Sequence, residues 1–323
     1  MNNKQKILIL SITLIIVIAV GAIALALNSP TSNNKLQLVA TFYPLAYLSQ
    51  EIGGDYVQVT QLVPSNTEIH SWEPSASHII ATEDADVIVY NGAGADHWLE
   101  DDILPAMSSS KDRIVVESTA SLDLIVNQEE LDEHDEHEAG EEEHEHGDFD
   151  PHTWISPYMA KLQAEKIYNA LLQADPDHED YYTQRWQTLE AQLSQLDTEY
   201  SEGLSDSNKT SIFVSHEAFG YIATRYGFEQ HGVIGLSADE QPSTVTIANL
   251  VKEMQEHETY VVYVDPVYST EYAQTIKTEV EAKTGHAVTI LHLYLILGPN
   301  DDLDLLEQMQ TNLSNLKTGL EAT

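Results

Sequence analysis

The fold is decided by the stretch Asp177–Leu204, because it divides two series of short apolar segments. This stretch reads DHEDYYTQRWQTLEAQLSQLDTEYSEGL. Apolar side chains recur in it at spacings of three and four residues, which places them along one face of a helix. The residues of that face are Tyr182, Trp186, Leu189, Leu193, Leu196 and Tyr200. A helix of this length can connect two lobes and pack against both. The alternative is an ordinary helix within a single domain.

Short apolar or alternating segments on both sides of this helix are typical of β-strands. They are Leu36–Phe42, Val57–Val63, Asp86–Tyr90, Ile114–Glu117, Ser211–Ser215, Tyr260–Val264 and Ala287–Leu293. A second helix is predicted over Met159–Ala174. Because helical segments separate many of the strands, the sequence predicts an α/β fold with mainly parallel sheets. We expect an N-terminal lobe at about residues 36–175, a linker helix at 176–204 and a C-terminal lobe at 205–323.

The composition limits the classes of function. The chain has 53 acidic and 14 basic residues and a formal net charge of −39. A surface this acidic repels phosphate, which argues against a nucleic-acid partner. A hydrophobic fraction of 42% is enough for a folded core. Because the chain has no cysteine, disulfides and thiolate metal sites are excluded, and the 14 histidines are its strongest transition-metal ligands.

The N-terminus has the features of an export segment. Lys4 and Lys6 precede the apolar run Ile7–Leu27, which is longer than the roughly 7–15 residues of a signal-peptide core and close to the ~20 that span a bilayer. Ala24-Leu25-Ala26 resembles a cleavage site. Residues 1–35 are therefore predicted to be a cleaved signal peptide or a membrane anchor followed by a polar tether, and the length of the run favours the anchor. In both cases the rest of the chain is extracytoplasmic, in the periplasm or at the cell surface.

One low-complexity segment, Gln128–Asp150, contains 13 acidic residues. It also contains four histidines, which are His134, His137, His144 and His146. Because it has almost nothing apolar to bury, we predict a mobile loop. Its composition fits either a solvated acidic tether or a weak, multi-site collector of zinc.

Four histidines lie at predicted strand or helix ends. His70 follows the strand that ends at Val63, and His152 comes between the acidic segment and a helix. His216 and His292 lie at the ends of two later strands. Ligands of open α/β sheets bind beyond the carboxyl ends of the strands, and a helix N-terminus keeps a histidine neutral and able to bind a metal. The joint pattern predicts a metal site.

Several blocks of the chain together resemble the zinc and manganese substrate-binding proteins of ABC importers, the ZnuA/TroA-like group. They are Phe42–Leu45 (FYPL), Ile69–Pro74 (IHSWEP), Asp86–Gly92 (DVIVYNG), Asp150–Trp154 (DPHTW), Ser215–Tyr221 (SHEAFGY) and Tyr226-Gly227. The resemblance covers about residues 36–320, with the blocks in the same order. It implies two Rossmann-like α/β lobes joined by one long rigid helix, with a metal in the cleft between them. It also implies that His70, His152 and His216 bind that metal.

The sequence departs from this family at the fourth ligand. The family commonly places Asp or Glu just after the last strand of the second lobe, whereas Ile290–Pro299 reads ILHLYLILGP. His292 is the nearest candidate for this position. Water, or a carboxylate from elsewhere such as Asp265, is the alternative.

The resemblance also implies the metal and the partners. Imidazole-rich sites suit Zn²⁺ and carboxylates favour Mn²⁺, so we predict that the chain binds zinc as transported cargo, with a manganese-binding member as the alternative. The implied partners are the permease and ATPase subunits of an ABC importer, and we expect a monomer that is not an enzyme. The main rival is an extracytoplasmic zinc-dependent hydrolase, since His216-Glu217 begins like a zinc-protease motif, but Gly220 stands in place of its second histidine.

Overall fold

The computed structural model describes residues 35–108, 111–127, 149–236 and 244–323. The apolar run Ile7–Leu27 and nearly all of Gln128–Asp150 lie outside the described residues, so the expectations about them stay predictions. Leu36–Thr323 forms one compact unit. Within the described ranges, none of the helices is both long and apolar enough to cross a bilayer.

The first half of the chain forms a four-stranded sheet. Its strands are β1 (Leu36–Ala40), β2 (Val57–Gln61), β3 (Val87–Tyr90) and β4 (Ile114–Glu117). They lie in the order β2-β1-β3-β4, and every neighbouring pair is parallel. The inner strand β3 reads VIVY and is buried throughout, as expected for a parallel strand that is covered on both faces.

The second half repeats this arrangement. Its strands are β5 (Ser211–His216), β6 (Glu229–Ile234), β7 (Val261–Val264) and β8 (Thr289–His292), in the order β6-β5-β7-β8 with parallel neighbours. Strand β6 was not among the predicted strands. It reads EQHGVI and lies at the edge of the sheet with its first residues only partly buried, so it lacks an apolar pattern.

Eight helices of seven or more residues are present in the described part of the chain. They are α1 (Tyr43–Gly53), α2 (Ala76–Glu83), α3 (Pro157–Ala174), α4 (Glu179–Leu204), α5 (Gly220–Tyr226), α6 (Thr244–Glu256), α7 (Glu271–Thr284) and α8 (Leu305–Gly319). Helices α3 and α4 confirm the two helix predictions, with starts shifted by two residues. The hydroxyl of Ser156 caps α3 by accepting the N–H of Met159 at 3.5 Å.

Helix α4 joins the two sheets and their flanking helices. It has 26 residues, a length of about 39 Å at ~1.5 Å per residue. It packs against α1 and α3 of the first half and against α5 and α8 of the second. The six apolar residues predicted for its inner face are all buried. These contacts confirm the two-lobe α/β fold with a long connecting helix.

The lobes also touch through the apolar segment Leu293–Leu297, whose residues are all buried. The indole N–H of Trp154 donates to the Leu295 carbonyl at 2.8 Å, and the Asn66 N–H donates to the Leu297 carbonyl at 2.9 Å. A Cβ atom at the adjacent Gly298 would lie 2.6 Å from the Asn66 nitrogen. This close approach therefore requires glycine, and it fixes a C-terminal segment of the second lobe against the first lobe.

Candidate metal centre

Three histidines from separate parts of the chain converge in the cleft between the lobes. The Nε2 atom of His152 lies 3.1 Å from Nε2 of His70 and 3.1 Å from Nε2 of His216. Within the described part of the chain, these three residues are the group of histidine or carboxylate side chains whose ligand atoms all lie within 4.8 Å of one another. The structure therefore brings together three of the four histidines that the sequence indicated.

His70 is positioned by the loop that follows β2. The neighbouring carboxylate of Glu68 folds back on this loop, where its Oε1 accepts the backbone N–H groups of Ile69 at 2.9 Å and of His70 at 3.2 Å. Ile69 is 1% exposed, so its side chain anchors the loop in the core of the first lobe. The imidazole of His70 remains partly exposed and forms the accessible edge of the three-histidine group.

His152 is held by a buried carboxylate two residues earlier. Oδ1 of Asp150 lies 2.8 Å from Nδ1 of His152 and also accepts the His152 backbone N–H at 2.9 Å. When Nε2 acts as a metal ligand, Nδ1 carries the proton and donates a hydrogen bond to Asp150. This arrangement orients many metal-binding histidines. Burial raises the pKa of Asp150 to about 7, against the opposing effect of the His152 N–H. Asp150 was not among the predicted site residues, although it lies in the DPHTW block.

Contacts from the second lobe complete the support of this segment. The hydroxyl of Tyr221 donates to the Asp150 carbonyl at 2.6 Å and accepts the N–H of Ile125 at 3.2 Å. A Cβ atom at Gly220 would lie 2.5 Å from Oδ2 of Asp150. Glycine at the start of α5 therefore lets the second lobe approach the carboxylate that orients His152.

His216 is the last residue of β5 and comes from the second lobe. Burial is the main cause that lowers the pKa of both His152 and His216 well below 6.5, and the neighbouring histidines add to it. Both imidazoles are therefore neutral near pH 7 and can donate lone pairs to a metal. The three histidines come from both lobes, so an ion bound by them would bridge the cleft.

A carboxylate beside the histidines connects the lobes directly. Glu68 accepts, through Oε2, a short hydrogen bond from the hydroxyl of Tyr268 in the second lobe. Burial opposes ionisation of Glu68, but His70, the Tyr268 hydroxyl and His216 outweigh it and lower its pKa. The ring of Tyr268 lies 5.7 Å from that of His216. Residues 200 positions apart form this pair, so the sequence alone offered no signal for it.

The structure does not bring His292 into the group. Its side chain is exposed, and its Nδ1 lies 3.5 Å from the hydroxyl of Tyr294. His292 is the last residue of β8, and the chain enters the core with the next residue, Leu293, which is buried. The expectation that His292 is the fourth ligand therefore has no support in this geometry.

Asp265, the carboxylate alternative, already has partners for both oxygens. Its Oδ2 accepts the N–H of Leu295 at 2.5 Å and its Oδ1 accepts the N–H of Val267 at 2.6 Å. Asp265 is 4% exposed, and burial raises its pKa to about 6 against these two hydrogen bonds. Its position ties the segment after β8 to the end of β7, which is a structural role.

The geometry of the three imidazoles suits a tetrahedral metal ion. Zn–N bonds of ~2.0–2.1 Å at tetrahedral angles place neighbouring nitrogens roughly 3.3–3.4 Å apart. The two Nε2 separations that involve His152, both 3.1 Å, need only a small expansion to reach that value. Three imidazoles form a nitrogen donor set of the kind that zinc prefers over manganese. The arrangement can therefore hold one transition-metal ion and leaves one coordination position for a further ligand.

Comparisons with known proteins identify a zinc-uptake family. The family model described as ZnuA, zinc-uptake complex component A, periplasmic, matches residues 38–319. The high-affinity zinc uptake system protein ZnuA of Bacillus subtilis is 32% identical over 296 residues, which are 91% of this chain and 90% of that protein.

Solved structures share the fold. The Zn(II)-bound AdcA of Streptococcus pneumoniae is 27% identical with a TM-score of 0.73, covering 89% of this chain and 58% of that longer chain. The periplasmic zinc-binding protein TroA of Treponema pallidum is 20% identical with a TM-score of 0.75, covering 89% of this chain and 99% of that chain, and shows the common architecture. The family match over most of the chain, together with the Bacillus relative, shows that the protein belongs to the ZnuA family of zinc-uptake complex components.

Proposed function

We propose that this protein captures Zn²⁺ outside the cytoplasm and delivers it to the permease of an ABC importer. The observation that carries the proposal is the convergence of three Nε2 atoms, from His70, His152 and His216, at separations of 3.1 Å between neighbours in the cleft. Two of the rings are buried, so the ion would be shielded from water on most sides. The fourth coordination position is assigned to water or another small ligand.

Zinc is favoured over manganese by the donor set. Mn²⁺ prefers oxygen ligands, whereas the three described donors are imidazole nitrogens. Two carboxylates lie close to the histidines, but both are engaged in hydrogen bonds, Asp150 with His152 and Glu68 with Tyr268. Each therefore positions neighbouring side chains and is not assigned as a ligand. A manganese-binding role would need a carboxylate ligand in place of these contacts.

The family consists of binding components of uptake complexes and not of enzymes. The alternative function, that of a zinc-dependent hydrolase, also lacks support in the geometry around His216. Glu217, the residue that would serve as base in a protease motif, uses Oε1 to accept the N–H of Gly232 at 2.7 Å in the second lobe. That carboxylate therefore stabilises the start of the β5–α5 turn.

The partners and the location follow from the same proposal. The permease of an importer that also contains ATPase subunits would receive the ion. The protein would act as a monomer held outside the cytoplasm by residues 1–35 or released by cleavage within them. We assign the lobes to residues 36–175 and 205–323, with 176–204 as the linker. Histidines of residues 128–150 would collect zinc near the cleft.

Zinc titration in competition with a chelator tests the capture step. The wild-type chain should bind one zinc ion tightly, and the triple variant with His70, His152 and His216 replaced by Ala should lose that site. Hydrolase substrates should show no zinc-dependent turnover. In cells, deleting the gene should impair growth under zinc limitation, and the triple variant should fail to restore it. Wild-type affinity in the triple variant would overturn the proposal.

A further inference from the structure

Two further histidines form a pair in the second lobe, apart from the three in the cleft. His231 belongs to β6, and His257 follows the last residue of α6. Their ring centroids are 5.4 Å apart. The three ring pairs of the cleft site have centroid separations of 5.0, 5.1 and 6.0 Å. The second pair therefore has the ring spacing of two imidazoles that could share one metal ion.

Both imidazoles of this pair have a partner for Nδ1. Nδ1 of His231 lies 3.2 Å from Oε2 of Glu253, and Nδ1 of His257 lies 3.0 Å from Oγ of Ser211. When Nδ1 of His231 donates its proton to Glu253, the lone pair of that ring is on Nε2. This is the same arrangement as Asp150 and His152 in the cleft, where a carboxylate orients the imidazole.

The Nε2 atom of His231 is buried and has no hydrogen-bond partner among the described residues. A buried polar atom without a partner is costly for a fold. The ring stacks on Phe213 at a centroid distance of 5.0 Å, which fixes its plane but gives Nε2 nothing to bind. A metal ion is a ligand that would use this lone pair.

One side of the pair is open to solvent. His257 is exposed, and the side chain of Glu253 is 38% exposed. The neighbouring cation Lys252 is directed to Glu256, with 3.3 Å between its Nζ and Oε1. The net charge of −39 raises the concentration of cations around the whole protein.

We propose that His231 and His257 form a second, solvent-accessible site for a divalent transition-metal ion such as Zn²⁺. Glu253 orients His231, and water completes the coordination. With two imidazoles the site binds more weakly than the three-histidine cleft. The proposal does not depend on delivery to an importer, since it concerns a separate surface between α6 and the edge strand β6.

Zinc stoichiometry tests this inference. The full chain is used with the four histidines His134, His137, His144 and His146 replaced by Asn, so that residues 128–150 contribute little zinc. Equilibrium dialysis with Zn²⁺ as the only metal should then give two bound ions per chain. His257→Gln, a change at an exposed position, should reduce the count to one and leave the tight cleft site unchanged. His231→Gln should do the same, provided that its thermal unfolding matches the parent.

His286→Gln is the matched control, because that exposed histidine stacks on Tyr260 at 4.4 Å in the same lobe. It should retain two ions. Glu253→Gln should weaken the second site by about 10-fold or more, as loss of a carboxylate that orients a ligand does. In crystals, anomalous scattering at the zinc edge should place the second ion ~2.0–2.1 Å from Nε2 of both histidines. A parent that binds one ion, or a His257→Gln variant that still binds two, would refute the site.

Discussion

Oδ1 of Asp150 lies 2.8 Å from Nδ1 of His152, and both side chains are 2% exposed. This pair is the point at which the acidic segment, the first lobe and the second lobe meet, because Tyr221 of the second lobe binds the Asp150 carbonyl. The carboxylate fixes both the tautomer and the ring plane of His152, a buried candidate ligand. Metal affinity should therefore depend on a residue that does not touch the ion.

Replacing Asp150 by Asn should weaken zinc binding by roughly 10–100-fold, the usual effect of losing an outer-shell carboxylate. The amide keeps the size of the side chain but is a poorer acceptor for the His152 proton. Chelator competition would measure the change. Asp123→Asn, at an exposed position of the same lobe, is the control and should be neutral. Equal affinities for the two variants would contradict the orienting role of Asp150.

Replacing any one of His70, His152 or His216 by Ala should cost more affinity than the Asp150 change, because each removes a direct ligand. Replacing His292 by Ala should leave zinc affinity within about twofold, since that side chain is exposed and apart from the group. The same chelator assay compares them. A tenfold loss in the His292 variant would restore this residue as a fourth ligand.

Zinc release on acidification should occur in two stages. The pKa values of His152 and His216 lie well below 6.5, mainly because of burial, so protons displace zinc from the cleft only at lower pH. Histidines of residues 128–150 belong to a segment with almost nothing apolar to bury, so their zinc sites are predicted to be weak. Their zinc should leave first as the pH falls. A titration of bound zinc against pH that shows a single loss would contradict this order.

Removing the hydroxyl of Tyr268 should loosen the lobes and speed zinc dissociation. Tyr268→Phe deletes the hydrogen bond to Glu68 and keeps the ring beside His216. One hydrogen bond to a charged group contributes about 1.5–3 kcal/mol, so the dissociation rate should rise roughly tenfold or more. Stopped-flow mixing with a chelator would measure it, with Tyr272→Phe on α7 as the control. An unchanged rate would show that the pair does not restrain the cleft.

Deleting residues 128–148 should lower the total zinc stoichiometry and leave the tightest affinity nearly unchanged. The flanking residues Val126 and Phe149 form an antiparallel β-bridge, so a short Gly-Ser connection can close the gap without moving Asp150. Ordering charged, solvated histidines around an ion costs conformational entropy, which keeps their sites weak. Loss of the tight site with an intact fold would show that the deleted residues help to form it.

The sequence was sufficient for the features that depend on local pattern. The face of α4 follows from periodicity, and the parallel strands follow from the helical segments that separate them. His70, His152 and His216 became candidates from their places at strand and helix ends and from the family resemblance. Features that depend on three-dimensional contacts were missed. The polar edge strand β6 lacks an apolar signature, and the Glu68–Tyr268 pair joins residues 200 positions apart.

His292 illustrates the limit of reasoning from position alone. Its place at the end of β8 matched the pattern of the three other candidate histidines. The direction of its side chain, however, depends on which neighbouring residues are buried in the core. Leu293 is 1% exposed and Leu295 is 2% exposed. Burial of this apolar segment against the first lobe leaves His292 on the outer side, and only the packing of the two lobes decides that outcome.

The packing of α4 against both lobes has a consequence for how cargo leaves. A helix of 26 residues in contact with α1, α3, α5 and α8 resists a wide opening of the cleft. An ion held by three imidazoles with a fourth position for a small ligand can instead leave by associative substitution. A donor group of the receiving protein would bind the ion first, and the histidines would then detach one after another. The lifetime of the loaded protein would thus depend on the concentration of the incoming donor and very little on dilution.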